Sequence, residues 1–219
     1  MKDKELRVIL KNFAALQGRA KLRYFRDYLL WPTVVILAGV IMLGSLVLDM
    51  VTHQEPLLNV IMVNSESDAE SDDAAFAEFL DAYGYEAGAG RVANGKFQVA
   101  EGNFHYHEAY SAMLVTLSSP QDVFMGNGTA YLRTVEQGLL LDLSSVMPEV
   151  LQKIPSDQIL YSDAAGAKEP YPCAIALEGN TWLTKHGYYS ELCYFAIPER
   201  SENRETAKNF LLFLLDNQS

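Results

Sequence analysis

One run limits what this chain can fold into more than any other. Leu29 to Leu48 reads LLWPTVVILAGVIMLGSLVL, twenty positions without a charge. About twenty apolar helical residues cross the roughly 30 Å hydrocarbon core of a bilayer. A helix buried in a water-soluble core is normally shorter or alternates with polar positions. The run is read as an uncleaved transmembrane helix, 29–50, bounded by Asp27 and Asp49. Pro32 falls in its first turn, where a missing N–H costs little. The charged stretch before it is long and no A-x-A-like site follows Leu48, so it does not read as a signal peptide. Its glycines face leucines four positions on (Gly39 with Leu43, Gly44 with Leu48), so a close-packed helix dimer is not indicated.

Charge sets the expected orientation. Residues 1–28 hold eight Lys/Arg against three acids, a balance of +5. The whole chain is −11, which leaves −16 beyond residue 28. Positive flanks stay in the cytoplasm. The sequence therefore predicts a cell-membrane, single-pass protein: a cytoplasmic basic tail (1–28), the helix (29–50), a spacer (51–56) and an extracytoplasmic domain (57–219). Tyr24, Phe25, Tyr28 and Trp31 cluster at the inner end like an interfacial aromatic belt. Within the tail, Leu6, Leu10, Phe13 and Leu16 recur at helical spacing until Gly18 interrupts them. The tail reads either as a solvated topogenic segment or as a helix on the inner leaflet held by Arg19, Lys21, Arg23 and Arg26.

The outer part, about 165 residues, is long enough for one domain with its own core. Its acidity argues against nucleic acid as a partner. Leu57–Val63 is a short, mostly apolar strand. Ser67-x-x-Glu70 fits a capping box, and Phe76, Phe79, Leu80 and Tyr83 follow at i, i+3, i+4, i+7, an amphipathic helix ending near Gly84. Strand then helix opens an α/β fold. Residues 84–95 hold four glycines and read as a loop, with a short strand at Lys96–Ala100. The acids between Glu66 and Asp73 lack calcium-loop spacing. His105 and His107, beside Glu108, are two apart rather than at the i, i+4 spacing of zinc-binding helices. Glu108 also suits the start of a helix to about Leu117.

Gln121–Leu143 reads strand, Gly126-Asn127-Gly128 turn, helix from Thr129, stop at Gly138. Ligands of open α/β sheets bind beyond the C-terminal ends of strands, and free N–H groups at a helix start suit an anion. Asn127, Gly128 and Thr129 are thus the candidate ligand-binding residues, with Trp182 and Tyr188 as a candidate aromatic wall. The alternative is a plain strand–helix turn with the aromatics in the core. Cys173–Leu177 and Glu191–Ile197 read as strands, with Cys173 and Cys193 either a disulfide or two free buried thiols. Ser201 caps a last helix with the stripe Ala207, Phe210, Leu211, Leu214, Leu215. There is no nucleophile elbow, no H-E-x-x-H and no paired acids in a recognisable frame. No enzyme, metal or cofactor is expected.

The runs DVFMGNGTAYLRTVEQGLLLDLSSVMPE and CYFAIPERSENRETAKNFLLFLLDN resemble the extracellular solute-binding proteins of bacterial ABC importers, of type II periplasmic-binding-protein fold. In that family a D-V strand leads into a helix and then G-L-L-x-D-L, and Tyr171-Pro172 resembles the crossing between lobes. The resemblance covers about 90 of the outer residues. It implies two lobes with a ligand between them, yet only about 55 residues separate Leu143 from Ile197. The expectation is therefore an α/β, single-lobe periplasmic-binding-protein-like domain behind one N-terminal transmembrane helix. Its function would be solute binding or sensing. The alternative is a ligand-free interaction scaffold that keeps the fold. Expected partners are the lipid bilayer and either a small solute or a membrane protein.

Overall fold

The computed structural model describes residues 8, 11–52, 56–67, 72–86, 91–100, 108–163 and 169–218. The chain divides into two compact units, Met1–His53 and Gln54–Ser219.

The first unit is helical. Helix α1 (Gly18–Tyr24) runs into a π-helical turn, Phe25–Leu29, and then α2 (Leu30–Thr52). Gly18 takes φ 60°, a left-handed conformation that separates α1 from the turns before it. Val34, Val35, Ile36, Leu37, Val40, Ile41, Met42 and Leu43 of α2 are all exposed. Among the described residues no single helix is long and apolar enough to cross a membrane. Gly18–Tyr28 and Leu30–Ser45, which meet at a bend of 61°, have that length and apolar composition only together.

The second unit is a mixed α/β domain built on one six-stranded sheet in the order β2-β1-β3-β6-β5-β4. The strands are β1 (Leu58–Val63), β2 (Val92–Phe97), β3 (Val123–Gly126), β4 (Ile159–Ser162), β5 (Tyr171–Glu178) and β6 (Leu192–Ala196). β1 pairs in parallel with β2 and β3, while β6, β5 and β4 are added antiparallel. Strand alternation divides the apolar residues between two layers. Leu58, Val60, Met62, Val123 and Met125 face a core shared with α3 (Asp73–Ala82) and the last helix, α8 (Arg204–Asp216). Ile61, Val63 and Phe124 face a second core, under α4 (Glu108–Leu117) and α5 (Gly128–Val135). The remaining α-helices of this unit, among the described residues, are α6 (Pro148–Leu151) and α7 (Thr181–Lys185).

Several expectations change. Val92-Ala93-Asn94-Gly95 is strand, not loop: β2 begins at Val92 and pairs from Leu58↔Val92 to Val63↔Phe97. As an edge strand it needs little apolar content. Tyr171 and Pro172 lie inside β5, opposite Ser162 and Tyr161, so they continue the one sheet rather than leave it. Ser201 does not cap the last helix. Asn203 holds the cap position, and the Ser201 hydroxyl donates to Asp122 at 2.9 Å. Asp122, just before β3, is 1 % exposed and accepts from the Asn59 N–H, the Asn203 N–H and both side-chain amides. One carboxylate thus joins the starts of β1 and β3 to the entrance of α8. His105, His107 and Glu70 lie outside the described residues.

Cys173 and Cys193 are both free and buried. Cys193 stands opposite Leu177, four residues along β5 from Cys173, a separation of about 13 Å at strand rise. A disulfide needs Cα atoms within about 7 Å. Cys173 is also the extra residue of a β-bulge, where Leu160 and Tyr161 face Ala174 and Pro172. The bulge turns Cys173 into the second core, whereas Cys193 belongs to the first. The disulfide alternative is therefore set aside. Burial pushes the Cys173 thiol up to about 12 and raises that of Cys193 as well, so neither is a ready nucleophile.

Candidate functional site

The topology marks one place for a ligand. The chain leaves β1 for α3 on one face and leaves β3 for α5 on the other. Connections that diverge from adjacent parallel strands open a crevice at their C-terminal ends. On the β1 side, Asn64 takes φ 56°, a left-handed conformation that Asn tolerates better than most residues. Its N–H donates to Phe97 O at 2.8 Å, and its Oδ1 accepts the Val99 N–H at 2.8 Å. On the β3 side, Gly126 packs so tightly that an added Cβ would lie 2.7 Å from Val63 Cβ and 3.0 Å from Tyr131 Cδ2. Asn127 then caps α5 in extended conformation, without a side-chain cap bond. Gly128 takes φ 76°, and Thr129 is exposed.

This crevice is filled by the chain itself. The segment between α7 and β6 folds across it. The Tyr189 hydroxyl donates to Val63 O at 3.0 Å, with Met125 O at 3.4 Å, so it meets the last carbonyl of β1 and the penultimate one of β3. Burial holds this phenol far above its ordinary range, so it remains a neutral donor. The Glu66 N–H donates to Tyr188 O at 2.9 Å, and Ser190 returns its hydroxyl to Glu66 Oε1 at 2.6 Å. Beside them Lys96, at the end of β2, pairs with Asp72, the cap residue of α3, at 3.0 Å. Lys96 Nζ also sits 5.6 Å from the Tyr188 ring centroid. Burial, and then the nearby Asp72 charge, raise the Tyr188 hydroxyl above its usual range.

Trp182 and Tyr188 are 2 % and 1 % exposed. Trp182 packs 5.7 Å from Phe76, Phe210 and Phe213, and 5.4 Å from Tyr188. Both belong to the first core, whereas the helix opened by Asn127, Gly128 and Thr129 covers the other face. The structure does not bring these five residues together as one lined cleft. The aromatic wall is a core cluster, for a plain reason: a large ring with aromatic neighbours on several sides gains more from burial than an exposed edge would. Lys96 and Asp72 were not singled out as site residues from sequence, and Tyr189 only as the neighbour of Tyr188, an aromatic pair for either a surface or the core. One signal points to them, a doubled tyrosine before a strand; the lysine sits in a short edge strand whose composition reads as loop.

Among the described residues no group of three or more His, Cys, Asp or Glu is placed to hold a metal ion. The chain matches no family model, no curated protein and no solved structure.

Proposed function

We propose that this protein is a membrane-anchored, extracytoplasmic interaction domain: a single α/β lobe of solute-binding type that acts through contact with another membrane protein and holds no small solute. The observation that carries this is the filled crevice. Tyr189 occupies the hydrogen-bonding carbonyls at the ends of β1 and β3, and Tyr188 covers the Lys96–Asp72 pair. A solute would have to displace a buried, hydrogen-bonded tyrosine before making any contact of its own. The anchor rests on the uncharged run Leu29–Leu48 and on the many exposed apolar side chains of α2, which are unfavourable in water and at home in lipid.

The test is a thermal-shift screen of sugars, peptides and anions on residues 54–219. Ligand at a hundred times its Kd stabilises by about 2.7 kcal/mol, which moves the Tm of a domain this size by roughly 5–10 °C. Flat melting curves at millimolar ligand are expected. A shift that Tyr189→Phe enlarges would restore the solute-binding reading.

Topology has its own check. Protease added to intact cells is expected to remove residues beyond about 52 and to spare the basic tail, following the charge asymmetry. Protection of the acidic domain in sealed cells would reverse the orientation.

A further inference from the structure

The N-terminal unit contains an elbow whose shape has a local cause. Pro32 lacks an N–H, and its ring crowds the carbonyl four residues back, that of Tyr28. The ladder gives way at that point: Phe25–Leu29 is a π turn, with the Leu30 N–H donating to Phe25 O. Such turns are an established cause of sharp kinks. The segments on either side meet at 61°. If α2 stands near the bilayer normal, the arm before it leans toward the membrane plane.

The arm is amphipathic in a particular way. Arg19, Arg23 and Arg26 recur at i, i+4, i+7 and share one face. Leu22 and Phe25 form the adjoining face, and both are exposed. Tyr24 and Tyr28 stack at 4.7 Å behind them. Lys21 turns away, its Nζ 4.8 Å from the Phe13 ring centroid. Asp27 is the sole acid between Lys11 and Tyr28, and it pairs with Arg26 at 3.1 Å. Two clefts, of about 750 and 560 Å³, run along this face. Arg19 and Arg23 line both; Leu16, Tyr24 and Tyr28 add apolar surface to the larger, which Asp27 also borders, and Gly18, Leu22 and Arg26 complete the smaller.

Guanidinium groups beside apolar carbon fit the two ends of one kind of molecule. Arginine holds a phosphate with paired N–H donors, and the leucines and tyrosines meet the glycerol and upper acyl carbons. A nucleic-acid backbone would also offer phosphates, but not a partner for exposed Leu22, Phe25 and Trp31 at the head of an apolar helix. We propose that this elbow is a binding site for anionic phospholipid headgroups of the cytoplasmic leaflet, with Arg19, Arg23 and Arg26 on the phosphate. The proposal rests on the anchor reading above.

The experiment uses the full chain and has two arms. Alkaline carbonate first asks whether the protein is integral to its membrane. Retention of the wild type and of the R19Q/R23Q/R26Q variant is expected, and release of the wild type would overturn the anchor and the elbow together. The second arm reconstitutes the full chain in an equimolar mixture of phosphatidylglycerol and phosphatidylcholine. Spin-labelled lipids then report the relative association constant of the two headgroups. Each basic residue near an anionic surface contributes a factor of about five. A preference for phosphatidylglycerol of about tenfold or more is expected, weakening as salt is raised and absent in the triple variant. An integral protein with no such preference, or a triple variant that keeps it, would overturn the elbow and leave the anchor standing.

Discussion

Phe210→Ala is expected to remove about 3–5 kcal/mol from the unfolding free energy of the Gln54–Ser219 unit, the range for truncating a fully buried phenylalanine. Phe210 has no exposed surface. It lies on α8 where the last helix meets α3 and α7, with ring centroids of Phe76, Phe79 and Trp182 between 5.0 and 5.7 Å away. Those neighbours are fixed to different elements, so the cavity cannot close by a shift of one helix alone. For a domain of this size the loss corresponds to a fall in Tm of roughly 6–20 °C. Urea melts of residues 54–219 measure it directly, because Trp182 is the one tryptophan in that span and touches the altered site. A loss below about 0.5 kcal/mol would mean that this face of α8 is not in the core.

That stripe was legible from sequence because a surface helix must repeat its apolar residues near 3.6, and Phe210, Leu211 and Leu214 do. The same holds for Phe76, Phe79 and Leu80, all buried as their spacing predicts. β1 and β3 were legible as short apolar runs because a strand covered on both faces has no polar side. β2 was hidden for the opposite reason. At the sheet edge, Ala93, Asn94 and Gly95 need satisfy only one neighbour, so local composition reads as loop. The candidate site was legible only as a place. The end of β3 and its glycine turn are where the sequence put them, but its occupant comes from Tyr189, 126 residues beyond Val63. Sequence periodicity carries no information about a contact that depends on β6 being inserted beside β3. Trp182 and Tyr188 were ambiguous because an aromatic between two strands can serve a surface or a core; only the packing of α3 and α8 over the sheet decides it.

Asp122 gives the second large effect, one that depends on pH. Asp122→Ala is expected to cost at least about 3 kcal/mol, because the Asn59 N–H, the Asn203 N–H and the Ser201 hydroxyl each lose a carboxylate acceptor, at about 1–3 kcal/mol per stranded group. Asp122→Asn keeps the volume but sets an NH₂ donor among donors, so it too should destabilise at neutral pH. Burial by itself would raise the Asp122 pKa, yet the hydrogen bonds from Asn203, Asn59 and Ser201 outweigh it and hold the carboxyl below its usual range. A carboxyl depressed in the folded state contributes stability above its unfolded pKa, about 3.9. That contribution is lost as pH falls through the lower folded value. The gap between wild type and Asp122→Asn should therefore be full at pH 7, begin to close below about pH 5, and continue to narrow as acid protonates the folded carboxylate. Urea melts of both proteins across that range test the sign. A gap that stays constant with pH would mean that shape rather than charge at position 122 joins β1 and β3 to the entrance of α8.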